Sequence, residues 1–153
     1  MTDPVVAETD VYITRTFAAP RPIVWKFWTD PARIIEWFGP TDFTIPPETV
    51  TIELEVGGAW NLAMQDAEGN RFPIRGRIVE FVEEELLVVE LDSDSDFGPM
   101  TNIQLRVQFH DHGDRTRITL HQGPFTAELR DITAEGWELS FVKMDTIIEG
   151  APA

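Results

Sequence analysis

Residues 126–150, TAELRDITAEGWELSFVKMDTIIEG, are the stretch that decides the fold. Apolar side chains recur through it at intervals of mostly three to five residues, namely Leu129, Ile132, Trp137, Phe141, Met144 and Ile148. That spacing is typical of a helix with one apolar face. The stretch contains no proline, and Gly150 with Pro152 just beyond it marks a helix end. We therefore predict one long C-terminal helix, whose apolar face needs a partner surface.

The preceding hundred residues predict a sheet that can supply this surface. Alternating apolar and polar residues indicate strands on short turns, and the predicted strands span residues 11–18, 48–56, 59–65, 71–81, 86–91, 101–109 and 116–121. Residues 83–85 and 92–99 are expected to be loops because they are acidic or polar. Arg15 falls on the apolar face of the first strand, so that face is either partly wet or pairs Arg15 with a carboxylate.

Two short helices are predicted between the first and second strands. Apolar spacing favours helices over residues 21–29 and 31–37, and Asp30 before Pro31 is typical of an N-cap. Segregated strands and helices indicate an α+β fold in one domain, residues 10–150. The economical arrangement is a curved antiparallel sheet of six to seven strands wrapped around the long C-terminal helix.

Composition excludes several functional classes. The formal net charge of −15 argues against nucleic acids and anionic membranes as partners, since phosphate binding needs a basic face. No apolar run approaches the roughly 18 residues of a membrane span, and no secretory signal opens the sequence. The absence of cysteine excludes disulfides and thiol chemistry. We expect a cytoplasmic protein.

Local patterns along nearly the whole chain resemble one known family. The opening cluster comprises residues 15–20, 24–25, 29–31 and 37–40, and the later marks are Gly57-Gly58, Met64, Glu68-Gly69, Gly76, Thr101, Thr116 and Gly136-Trp137. Together they are similar to the homologues of the activator of heat-shock-protein-90 ATPase, in the START-like (SRPBCC) superfamily. The resemblance implies a helix-grip (START/Bet v-like) fold with a hydrophobic cavity between the sheet and the C-terminal helix.

The chain departs from the family pattern at three places. Phe38 stands where the family usually has tryptophan, and Asp42 stands where it has glycine. The run Glu53-Leu54-Glu55 has an acid where the family has a basic residue. The superfamily contains lipid carriers, cyclases and chaperone cofactors, so the resemblance implies a fold more than an activity.

A surplus of aromatic residues is the strongest functional signal. Large side chains at a sheet–helix seam can border an apolar pocket with a few polar groups. The candidate cavity residues are Trp25, Trp28, Trp37, Phe38, Trp60, Met64, Phe72, Phe109, His121, Trp137 and Phe141. Plain core packing is the alternative for these rings. The predicted function is binding of a small hydrophobic molecule, with no assigned reaction.

Two other functions stay open. A co-chaperone would stimulate a chaperone ATPase through an exposed patch outside the cavity. A cyclase-like cavity enzyme would use Arg15, Glu53 or His121 as acid or base. No catalytic motif is present, and the pair His110 and His112 lacks a third ligand at a suitable spacing, so we predict no metal and no cofactor. A homodimer is compatible with the sequence, which does not indicate an interface.

Overall fold

The computed structural model describes residues 8–39, 41–95 and 98–150. Its elements in chain order are β1 (Val11–Phe17), α1 (Arg21–Thr29), α2 (Pro31–Ile34), a 3-10 helix (Pro47–Thr49), β2 (Thr51–Ile52), β3 (Trp60–Gln65), β4 (Arg71–Val82), β5 (Leu86–Ser95), β6 (Gly98–Asp111), β7 (Thr116–Gly123) and α3 (Ala127–Gly150). The strands form one antiparallel sheet in the order β1-β7-β6-β5-β4-β3-β2. The predicted α+β helix-grip architecture is confirmed. Among the described residues, no helix is both long and apolar enough to span a bilayer.

The sheet is bent by two irregularities and holds α3 on its inner face. The strand register shifts between Ile78 and Glu80 and again between Leu91 and Ser93. Such bulges bend the bulged strand and increase its twist. The side chains of α3 buried on this face are Trp137, Ser140, Phe141 and Met144.

One residue of the predicted apolar face of α3 does not lie on the side of the helix that packs on the sheet. Ile132 is 41% exposed. It lies five residues before Trp137, which places it about 140° around a helix of 3.6 residues per turn. The prediction for Ile132 was therefore wrong, while Trp137, Phe141 and Met144 are buried as predicted.

The predicted strand over residues 48–56 is wrong. Only Thr51–Ile52 pairs with β3, because a 3-10 helix precedes it and the chain reverses from Glu53 onward. The backbone amide of Glu53 already donates to the carbonyl of Ala59, at 2.8 Å. A Cβ at Gly58 would lie 2.1 Å from the Glu53 carbonyl oxygen, so this close reversal needs glycine.

The polar loop predicted over residues 92–99 is also mostly strand. β5 continues to Ser95 and β6 resumes at Gly98, with residues 96 and 97 outside the described part of the chain. Backbone pairing to the adjacent strand overrides the weak strand propensity of aspartate and serine here. The helix α2 is likewise shorter than predicted, because it ends at Ile34 and turns follow.

The helix α1 is part of the core. Its buried residues are Val24, Trp25, Phe27 and Trp28. Asp30 ends this helix and caps α2 as predicted, since its Oδ1 accepts from the backbone amide of Ala32 at 2.9 Å. These four buried residues anchor α1 in the core of the domain.

Candidate functional site

Two neighbouring rows of side chains on the inner face of the sheet differ slightly in their residual exposure. Strand register places Ile78, Val89 and Leu105 side by side, and all three are completely buried. The next row places Leu91 beside Ile103, and these keep 7% and 6% of their surface accessible. All five side chains are therefore buried, and the two of the second row keep slightly more accessible surface.

The first row ends on a buried polar residue. Gln122 pairs with Leu105 in register and is 7% exposed. Its side-chain Oε1 accepts a hydrogen bond of 2.7 Å from the indole Nε1 of Trp137 on α3. This hydrogen bond connects α3 to strand β7.

Aromatic and aliphatic side chains surround the hydrogen bond between Gln122 and Trp137. The Phe38 ring meets Trp137 edge-on at 5.5 Å and Trp60 at 5.8 Å. Met64 and Ile74 are half-buried on the same face of the β3–β4 pair, two register positions apart. Leu129 of α3 is half-buried as well. The second row, Gln122, Trp137 and Phe38 together border what we call the α3 seam. Its lining is apolar apart from one carboxamide.

Other predicted cavity residues form the sealed core beyond this seam. Trp28 and Trp37 are completely buried with their rings 4.7 Å apart, and Phe141 stacks on Trp137 at 5.7 Å. Trp25 meets Phe109 edge-on at 5.1 Å. Rings at these distances are in mutual contact, so this end of the molecule is closed.

Phe72 pairs with Met64 in register on the β3–β4 pair. Its ring stacks on Phe43 at 5.9 Å, near the β3 side of the sheet. The carbonyl of Phe43 accepts a 2.9 Å hydrogen bond from Lys143 Nζ on α3. Burial lowers the pKa of Lys143, and the nearby Asp42 opposes that effect. Lys143 thus ties α3 to the segment that follows α2.

His121 does not line the seam, which corrects the sequence prediction. It pairs with the exposed Tyr12 in register, on the outer face of the sheet. Its Nε2 lies 2.9 Å from Oδ2 of Asp10. The physical reason is strand alternation, because the adjacent Gln122 occupies the inward position.

The other two acid–base candidates have structural partners. Arg15 is half-buried and pairs with Glu138 at 2.9 Å and with Asp145, both on α3. Its guanidinium also lies 5.8 Å from the Phe17 and Phe141 ring centroids. The prediction that Arg15 pairs with a carboxylate is confirmed. Glu53 is exposed and accepts from the backbone amide of Ala59 at 3.1 Å, within its own turn.

Sequence reasoning missed Gln122. The signal was present, because Thr116, Ile118 and Leu120 alternate inward and the next inward position is residue 122. The predicted strand ends at His121, two residues before the observed end of β7 at Gly123. A polar residue continuing an apolar alternation is the pattern that would have identified it.

The chain is similar in sequence and in fold to known proteins. Residues 18–149 match the family model described as Activator of Hsp90 ATPase homolog 1-like protein. No curated protein matches the chain. A solved structure from Nitrosomonas europaea is 25% identical with a TM-score of 0.78, over 95% of this chain and 97% of that one.

Two further structures are similar in fold. One from Rhodobacter sphaeroides has a TM-score of 0.81 at 19% identity, over 98% of this chain and 99% of that one. A protein in the dynemicin biosynthetic locus has a TM-score of 0.73 at 16% identity, over 94% of this chain and 48% of that one. At these identities the likeness concerns the fold alone.

Proposed function

The chain belongs to the family of Activator of Hsp90 ATPase homolog 1-like proteins, and from this premise we propose that it binds a small hydrophobic molecule at the α3 seam. The observation that supports the proposal is the difference in residual exposure between two neighbouring rows of side chains on the sheet. Val89 and Leu105 are sealed, while Leu91 and Ile103 one row further keep accessible surface. A core built only for stability gains by sealing that row as well.

The chemistry of the lining supports an apolar ligand. Phe38, Trp137, Leu91 and Ile103 offer aromatic and aliphatic surface, and Gln122 offers the polar group. Burial of apolar area contributes roughly 25 cal/mol per Å². A ligand that loses about 300 Å² of apolar surface would gain roughly 7 kcal/mol before the entropic cost of association.

The lining we propose is narrower than the sequence prediction. It keeps Phe38 and Trp137 and adds Gln122, Leu91 and Ile103. The completely buried rings become the wall behind the seam, which comprises Trp28, Trp37, Trp60 and Phe141. A rigid aromatic wall favours flat or ring-shaped ligands, because offset and edge-on ring contacts add to area burial.

The first test is native mass spectrometry of the purified protein, followed by organic extraction. We expect a bound lipophile near one-to-one stoichiometry, or uptake of an added tricyclic hydrocarbon such as fluorene. A protein that is empty and takes up no apolar probe at its solubility limit would contradict the proposal.

A matched pair of variants localises the binding. Ile103→Trp places a large ring in the seam and should abolish uptake. Gln104→Trp places the same ring on the adjacent residue, which is exposed on the opposite face of β6, and should leave uptake unchanged. Equal uptake by both variants would place the ligand elsewhere.

A second candidate function is docking to an ATPase chaperone. It is favoured by exposed apolar residues on the solvent side of α3, where Ile132, Leu139 and Val142 are 41%, 37% and 54% exposed. The family name points to the same class of partner. The test is ATP turnover of an Hsp90 chaperone with wild type and with the double variant Leu139→Ser, Val142→Ser. A rise in turnover with wild type alone would favour docking, and no rise with either protein would exclude it.

A further inference from the structure

We infer that Gln122 is the polar anchor of the α3 seam and that the ligand is an uncharged apolar molecule carrying a carbonyl-type acceptor. This inference rests on the proposed function. It adds that the acceptor oxygen of the ligand binds at Nε2 of Gln122.

The orientation of the Gln122 carboxamide is determined by its partner. An indole Nε1 can only donate a hydrogen bond, so the group facing Trp137 at 2.7 Å must be the carboxamide oxygen. The amide nitrogen therefore points away from Trp137. Within the described part of the chain, this nitrogen donates to no acceptor, although the residue is 93% buried.

The amide nitrogen also keeps contact with open space. Only two side-chain nitrogen atoms of the described residues are both sealed and unpartnered, and these are Arg21 Nε and Trp28 Nε1. Gln122 Nε2 is not one of them, so its unused donor is accessible. This accessible donor lies among apolar side chains, so a ligand oxygen at this point would give it a hydrogen-bond partner.

The residues around Gln122 favour a ligand whose acceptor group carries no charge. In register, Gln122 lies between Leu105 and Val11, both buried and apolar, with Trp137 above it. A carboxylate among these apolar neighbours would lose its hydration, in a chain of net charge −15. A ketone or ester oxygen needs one donor and no charge, which is what Gln122 supplies.

The test compares fluorenone with fluorene, which share a tricyclic skeleton and differ at the carbonyl. By equilibrium dialysis with wild type, we expect fluorenone to bind about tenfold more tightly, which corresponds to about 1.4 kcal/mol. Gln122→Met should remove this preference, so that the variant binds the two compounds with equal affinity. Gln104→Met, on the outer face of β6, should keep the preference.

A spectroscopic measurement makes the test independent of whether Gln122→Met folds. The infrared carbonyl stretch of fluorenone bound to wild type should shift below its value in hexane, because a donated hydrogen bond weakens the C=O bond. Equal affinities with an unshifted stretch would overturn the anchor and leave the proposed function standing. If neither compound binds, the proposed function fails and the anchor with it.

Discussion

The indole Nε1 of Trp37 donates a 2.8 Å hydrogen bond to the backbone carbonyl oxygen of Phe27. In a continuous helix this carbonyl would accept from the amide of residue 31. That residue is Pro31, which has no N–H. A side chain ten residues away in sequence thus replaces the bond that proline removes.

The next carbonyl of α1 is satisfied in a similar way. Trp28 O accepts from the indole Nε1 of Trp60 at 3.0 Å. The amide that would bond it in a helix belongs to Ala32, which donates to Asp30 Oδ1 instead. Two indoles therefore complete the buried C-terminal end of α1, where unsatisfied carbonyls would be unfavourable.

The first prediction compares Trp37→Phe with Trp28→Phe. Both indoles are completely buried, so the two variants remove similar volumes. Trp37→Phe also leaves the Phe27 carbonyl unpaired, whereas Trp28 Nε1 has no partner to lose. We expect Trp37→Phe to lower the free energy of unfolding by about 1–2 kcal/mol more than Trp28→Phe. Urea denaturation measures both, and equal losses would refute the capping role.

The second prediction concerns the seam between α3 and the sheet. Trp137→Ala should lower the free energy of unfolding by about 3–5 kcal/mol, because it opens a cavity in packed rings. Ile132→Ala on the exposed side of the same helix is the control and should cost less than about 1 kcal/mol. A loss below about 0.5 kcal/mol for Trp137→Ala would show that the helix is placed wrongly.

The third prediction concerns the two carboxylates that pair with Arg15. The Asp145 side chain is 32% exposed and the Glu138 side chain is 52% exposed, so water screens the second pair more. Double-mutant cycles with Arg15→Met, Asp145→Asn and Glu138→Gln should give coupling energies of about 1–2 kcal/mol for Asp145 and under about 1 kcal/mol for Glu138. The reverse order would contradict this account.

The fourth prediction is a pH dependence that comes from Lys143. Partial burial lowers its pKa in the folded protein, so below that pKa the folded state carries a partly desolvated charge. As the pH rises from the folded pKa toward the unfolded value, the folded amine loses its proton first and this cost disappears. Wild type should therefore gain stability relative to Lys143→Met across that alkaline window.

The chain contains a matched control for this experiment. Its other lysine, Lys26, is exposed on α1. Stability of wild type, Lys143→Met and Lys26→Met is measured by urea denaturation over the same alkaline pH series. Loss of the hydrogen bond to Phe43 adds a constant offset to Lys143→Met, so only the slope against pH is diagnostic. A flat or falling difference would refute a desolvated amine.

The fold was largely predictable from local patterns. The periodicity of residues 126–150 predicted α3 to within one residue, because helix amphipathicity is encoded within a few turns. The strand predicted at residues 48–56 failed for a non-local reason. Leu54 and Val56 alternate like strand residues but lie exposed in a turn, since Gly58 folds back onto the Glu53 carbonyl.

The candidate site was less predictable than the fold. The sequence identified the aromatic residues, but it could not divide them into a sealed core and an accessible seam. That division depends on which strands lie side by side, as Leu91 and Ile103 do. The inward position of Gln122 follows from the alternation along β7, but its hydrogen bond to Trp137 depends on how α3 packs against the sheet.

The shortness of β2 has a protective consequence at the sheet edge. β2 lies at one end of the strand order and offers only two residues, Thr51 and Ile52, to any incoming chain. A full strand over residues 48–56 would present a long apolar ladder with open backbone groups, which is the template that amyloid-like assembly extends. The turn that replaces it blunts this edge and so limits strand-by-strand aggregation during synthesis and refolding.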